Sequence, residues 1–195
     1  MNTPREDPQL RWRAYPGKQL FDRLAAGGAC LALTPLAAAV LFASWATGRP
    51  APLELQERIG RDRRTFGALR FSGSPAQLRT RLGQALQGGG LGQLPQLVNV
   101  LRGEMSLVGP EPLTPGELPQ WQAAALDWRF AARPGVTGLA QLLRVRGARN
   151  RQRLDRLYLR HQSLALDLQL LALSAAAQAV GSQRLRRWLR RLSRW

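Results

Sequence analysis

A chain of 195 residues with 29 Lys+Arg and 12 Asp+Glu has a formal charge of +17, which calls for a polyanion nearby: nucleic acid, anionic lipid or a phosphorylated ligand. Its 45% hydrophobic content excludes wholesale disorder, and the length suits one modest domain. One cysteine, Cys30, and one histidine, His161, exclude an internal disulfide and a Cys/His metal cluster, so any metal chemistry rests on carboxylates and favours Mg²⁺.

Residues 1–17 hold Pro4, Pro8 and Pro16 among charges and form a loose cytoplasmic lead. Residues 18–48 are the membrane element, with no charge from Leu24 to Gly48. A straight helix of that length would cross a bilayer core of about 30 Å. Thr34-Pro35 sits in its middle, where proline removes a backbone donor. Basic residues flank both ends, including Arg11, Arg13, Lys18 and Arg23 before it and Arg49, Arg58, Arg61 and Arg63 after it. A helix that enters, bends at Pro35 and returns keeps both clusters in the cytoplasm and leaves Trp45 near the interface. A kinked crossing and a buried hairpin of a soluble protein are the alternatives.

Gln56–Gly60 and Thr65–Phe71 predict a β-hairpin around Asp62-Arg63. Leu78, Leu82, Ala85 and Leu86 predict a helix over Gln77–Gln87, ended by Gly88-Gly89-Gly90. Leu94–Leu101 is a second amphipathic piece with Pro95 in its first turn. Pro110, Pro112 and Pro115 mark an extended loop, Glu117–Phe130 predicts a helix, and Arg133–Gly138 is a turn cluster. Asp155–Val180 predicts one long apolar helix. Residues 181–195 are a basic amphipathic tail, with Leu185, Trp188, Leu189 and Leu192 at helical spacing among arginines, suited to anionic headgroups. A nucleic-acid-binding tail is the alternative, although no helix-turn-helix, zinc or aromatic RNA-binding signature accompanies it.

Six strings in order carry a resemblance: Pro52–Gly60, Thr80-Arg81-Leu82-Gly83, Leu94–Leu101, Gly103–Pro112 (GEMSLVGPEP), Arg133–Gln141 (RPGVTGLAQ), and Asp155…Tyr158 followed by Ser163-Leu164 and Asp167-Leu168. Together they resemble the bacterial sugar transferase family, the monotopic polyprenyl-phosphate phosphoglycosyl transferases. The resemblance implies a mostly helical α+β fold: a re-entrant N-terminal membrane helix hairpin, a small cytoplasmic domain over 49–180 and amphipathic interfacial helices. It implies residence at the cytoplasmic membrane with the bulk facing the cytoplasm, and transfer of sugar-1-phosphate from a nucleotide sugar to polyprenyl phosphate in exopolysaccharide or O-antigen biosynthesis. It also implies a carboxylate nucleophile beside a carboxylate that holds Mg²⁺, an Asp-Glu pair directly before Leu-Pro-Gln-Leu.

Here those two positions are Gly92 and Gln93, with the register fixed by Thr80–Gly83 and Leu94–Leu97. Glycine has no side chain to attack phosphorus, and a neutral amide is a poorer Mg²⁺ ligand than a carboxylate. The family's proline-loop arginine is Glu111. Arg58, Arg70, Arg81 and Arg133 remain as candidates for phosphate or substrate binding, and Thr34, Pro35, Trp45 and Trp188 as membrane residues. No catalytic pair is intact, so the expectation is an impaired homologue, a pseudoenzyme that binds inner-membrane lipids, polyprenyl phosphate, or a dyad-bearing sugar transferase or other polysaccharide-assembly protein. One alternative is an active transferase with a relocated carboxylate, Glu104 or Glu111, using Mg²⁺. The other is a basic nucleic-acid-binding protein.

Overall fold

Lys18–Ala46 forms one helix, α1. It continues through Pro35 rather than turning back there, so the described residues carry a single helical element where the sequence predicts a bend and return. Pro35 leaves the Leu31 carbonyl without its helical donor, and one residue earlier Thr34 Oγ1 donates to the Cys30 carbonyl at 2.8 Å. The computed structural model describes residues 14–46, 53–71, 91–121, 127–145 and 147–180. The helix expected over 77–87, Arg81, Gly88–Gly90 and the tail with Trp188 lie outside these residues.

Successive residues of a helix turn by about 100°, so α1 has two apolar sides. Phe21, Ala25, Ala26, Ala29, Cys30 and Leu33 pack into the main core. Leu20, Leu24, Leu31, Phe42 and Trp45 lie on the opposite side and are exposed. The first half of α1 is thus part of the domain's own packing. Among the described residues, no helix is long and apolar enough to cross a membrane.

The predicted hairpin is present. β1 (Leu53–Ile59) pairs antiparallel with β2 (Thr65–Phe71), from Leu53 opposite Phe71 to Ile59 opposite Thr65. Its turn places Asp62 and Arg63 at φ 56° and 59°, the left-handed region where glycine is usual. Arg63 stacks over Phe130 at 4.9 Å. The second amphipathic piece is also present as α2 (Gln96–Arg102), led by Pro95 and closed by Gly103 at φ 80°. Buried Asn99 ties α2 to the hairpin: its side-chain amide accepts from Leu69 N at 3.0 Å and donates to the Gly67 carbonyl at 2.8 Å.

The proline loop and the turn cluster form more than their sequences predict. β3 (Ser106–Val108) pairs in parallel with β4 (Gly135–Thr137). Gly109 N donates to the Thr137 carbonyl at 3.0 Å and Gly135 N to the Pro110 carbonyl at 2.8 Å. The backbones are too close for side chains: a Cβ on Gly135 would lie 2.1 Å from Gly109 N.

Two helix expectations need correction. Glu117–Phe130 is not one α-helix among the described residues. Pro115–Trp121 is a 3-10 helix with Pro119 inside, and only Asp127–Phe130 is α-helical (α3); a proline within a turn removes a donor that an α-helix needs. Asp155–Val180 is likewise two helices. A short α4 (Leu139–Leu143) precedes α5 (Ala148–His161), and α6 (Leu164–Val180) follows. Gln162 turns extended at ψ 126°, and Ser163 Oγ accepts from Leu166 N at 3.2 Å, restarting the chain with a hydroxyl cap.

Candidate functional site

A cavity of about 620 Å³ opens where the start of α1, the β3 loop, the segment before β4 and the end of α5 meet. Its polar wall includes Lys18, Asp22, Arg61, Ser106 and Arg133. Beneath it runs a buried hydrogen-bond network between elements far apart in sequence. Lys18 Nζ lies 2.6 Å from Asp167 Oδ2 and 3.7 Å from Asp22 Oδ1. Tyr15 donates to Asp167 Oδ2 at 3.0 Å, and Tyr158 donates to Asp167 Oδ1 at 2.7 Å with the Val108 carbonyl at 3.0 Å. Ser106 Oγ donates to Asp22 Oδ2 at 2.6 Å. Burial and the Asp167 charge push the Tyr15 and Tyr158 phenols up, so both stay protonated as donors. The only lysine in the chain therefore bridges two buried carboxylates and locks α1 onto α6.

Two guanidiniums, Arg61 and Arg133, line the cavity, and Arg23, outside its lining, also acts on Arg133 electrostatically. A side chain on Gly103 would meet Arg23 Nη2 at 3.1 Å and Arg133 Nη2 at 3.9 Å, so these two converge on one point beside the end of α2. Arg61, from the hairpin turn, lines the cavity and, among the described residues, pairs with the exposed Asp62 at 3.1 Å. Burial, then repulsion from Arg61 and Arg23, lowers the Arg133 pKa, and Asp22 alone opposes this. Among the described residues neither Arg23 nor Arg133 has a hydrogen-bond or ion-pair partner. Such a grouping favours an anion.

Of the sequence candidates among the described residues, the cavity gathers Arg133 only. Arg58 and Arg70 share the inner face of the hairpin, opposite Phe66 and Glu54 respectively, and Arg58 donates to Gln56 Oε1 at 2.8 Å; neither lines the cavity. Gly92 is buried and Gln93 exposed in a 3-10 turn, Leu91–Gln93, at the other end of α2 from the arginine cluster. Thr34, Pro35 and Trp45 lie on α1, with Trp45 exposed. Arg23, Arg61 and Lys18 were missed as site residues. The spacing of Lys18 and Asp22, one helical turn apart, was the available signal; the convergence of Arg23 and Arg61 on Arg133 left none.

Among the described residues, the carboxylates are engaged in ways that do not fit the Mg²⁺ that the family resemblance implies. Glu104 accepts from Asn99 Nδ2 at 2.7 Å. Arg151 approaches Glu111 at 3.4 Å and Glu117 at 2.6 Å. Burial would raise Glu117, but hydrogen bonds from Thr114 and Arg151 hold it below the usual carboxylate range. Asp155 pairs with Arg129 at 3.0 Å, and Asp22 and Asp167 share Lys18. No three of His, Cys, Asp and Glu gather as a metal would require among the described residues.

Comparison with known proteins gives the context for this geometry. The bacterial sugar transferase family profile matches residues 13–180. The exopolysaccharide production protein ExoY of Sinorhizobium fredii (strain NBRC 101917 / NGR234) is 30% identical over 200 residues, covering 85% of this chain and 86% of its own. The undecaprenyl-phosphate glucose phosphotransferase of Komagataeibacter xylinus is 33% identical, over 80% of this chain and 35% of its own. The UDP-galactose-lipid carrier transferase of Erwinia amylovora is 33% identical, over 64% and 32%. The chain thus spans about a third of the length of these last two curated relatives. The chain belongs to the bacterial sugar transferase family.

Proposed function

We propose that this chain is a catalytically impaired member of its family, held at the cytoplasmic membrane with its bulk facing the cytoplasm, which binds a phosphorylated ligand or a polysaccharide-assembly partner without turning substrate over. The observation that carries this is the pair Gly92-Gln93 at the positions of the family's acidic dyad. Relatives named as undecaprenyl-phosphate glucose and UDP-galactose-lipid carrier transferases make sugar-phosphate transfer to a polyprenyl phosphate the reaction this chain would otherwise perform. Loss of a nucleophile alone can cost on the order of 10⁴–10⁶ in rate. Glu104 and Glu111, the candidates for a relocated carboxylate, are engaged by Asn99 and Arg151. The cationic cavity remains as a place for phosphate.

Membrane attachment through α1 draws support from its two apolar sides, since a helix apolar all round needs a second apolar medium once one side has met the core. The stripe from Leu20 to Trp45 is the side left for lipid, and Leu164 and Leu168 on α6 are further exposed apolar residues. The test is purified full-length chain in detergent with a panel of nucleotide sugars and polyprenyl phosphate. No nucleoside monophosphate above background is expected with Mg²⁺; robust Mg²⁺-dependent release, or a phosphosugar adduct on an acidic side chain, sinks the proposal.

A further inference from the structure

We propose that α5 carries a face that selects anionic bilayers: Arg149, Arg153, Arg156 and Arg160 lie among negatively charged lipid headgroups while leucines beside them enter the apolar edge. This rests on the membrane-attached reading and adds a second contact, made by the domain rather than by α1, together with the lipid charge it prefers.

Spacing builds the face. The four arginines fall at i, i+4, i+7 and i+11 of α5. At about 100° and 1.5 Å per residue they lie within roughly 60° of one another and run roughly 16 Å along the helix. Arg149, Arg153 and Arg160 are exposed. Arg156 is half-buried, its guanidinium 5.1 Å from the Trp128 ring. The far side of α5 buries Asp155, Tyr158 and Leu159. Asp155, the only acid on this helix, is turned inward to Arg129. Like charges three or four residues apart destabilise a helix, and the row contains three such spacings. An array of negative charge laid along the row relieves that repulsion at every position.

The neighbours of the row favour a bilayer over a nucleic acid. Leu157 lies about 40° round the helix from Arg153 and is exposed. Just past the end of α5, Leu164 and Leu168 on α6 are exposed as well, four and eight residues after Arg160. Phosphodiester strands gain nothing from exposed leucines. At a membrane surface, arginines keep their charged heads among headgroups while adjoining apolar side chains sink below them.

The experiment is flotation of the full-length chain, diluted out of detergent, with vesicles of phosphatidylcholine and with vesicles of phosphatidylglycerol. Wild type should partition at least about tenfold more strongly into phosphatidylglycerol, with the preference shrinking as salt rises. Each cation at an anionic surface is worth about fivefold in partition. Arg149→Gln with Arg153→Gln should therefore weaken binding to phosphatidylglycerol about twentyfold and leave phosphatidylcholine binding and the melting temperature nearly unchanged. Arg149→Lys with Arg153→Lys should keep most of the preference. Should the glutamine pair melt early, Arg153→Gln alone, with an expected loss of about fivefold, decides the matter. Equal partition of wild type into both lipids, or a preference that the glutamine variants leave intact, overturns this proposal while attachment through α1 stands. Failure to float with either lipid overturns both. An RNA duplex that binds wild type more tightly than the anionic vesicles, and loses affinity in the glutamine pair, makes the row a nucleic-acid face and overturns the proposal too.

Discussion

Asp155 shows what burial does to a charge that the motif makes visible. It is 2% exposed, and burial raises its carboxyl to about 6 against the opposing pull of Arg129, whose own pKa the same burial lowers. A folded-state value above the usual 3.8 means that the native chain binds the proton more tightly than the unfolded chain does. This contribution to stability is fully present below about 3.8 and is lost as pH rises through about 6. Asp155→Asn removes that titration and puts a neutral amide, close in shape to the protonated carboxyl, beside Arg129. Urea midpoints of both proteins between about pH 4 and 7.5 test this: the wild-type midpoint minus the variant's should be highest at the acid end and fall through 6. A difference that rises with pH would mean that the ion pair outweighs burial. The spacing of Asp155 and Tyr158 announces a paired motif. It does not announce their partners, Arg129 from 26 residues upstream and Asp167 after a helix break.

At the scale of elements, two interlocked loops and one two-sided helix decide the architecture. Gly135→Ala should prevent β3 and β4 from pairing, because the added carbon would lie 2.1 Å from Gly109 N and 2.4 Å from the Thr137 carbonyl, both backbone atoms that no rotamer can clear. The expected result is loss of more than about 3 kcal/mol, within the range of severe core lesions, read as loss of the cooperative unfolding transition. Along α1, Phe42→Ser with Trp45→Ser removes two exposed aromatic groups whose rings lie 5.7 Å apart, beyond the stretch that packs into the core. Each aromatic transferred to lipid contributes roughly 1.5–3 kcal/mol. Flotation with anionic vesicles should therefore show partition weakened by at least about tenfold, with the melting temperature nearly unchanged. Equal partition of both proteins would remove this half of α1 from the contact with lipid. The hairpin and α2 were legible because alternation and helical spacing are local signals. The β3–β4 pair was not, since its strands are three residues each and their pairing spans a long sequence separation.

For the molecule as a whole, restoring the acidic dyad asks whether only two side chains are missing. Gly92→Asp with Gln93→Glu is expected to give little monophosphate release. Gly92 is buried, so an aspartate there must desolvate its charge or force the turn open. Glu111, in the proline loop, would still present a negative charge. Release at even about one per cent of a dyad-bearing relative's rate would show that the scaffold had kept the rest of the active geometry.

What the chain's residues determined unaided was membership of the family, the hairpin, α2 and the net charge of +17. All of these are properties of composition, spacing or motif order, and need no knowledge of which distant segments meet. Only the folded chain decided that Arg23 and Arg61 join Arg133, that Lys18 bridges Asp22 and Asp167, and that Glu104 and Glu111 are already engaged. Those facts depend on contacts across tens of residues, where a charge's partner is set by packing rather than by its neighbours in sequence.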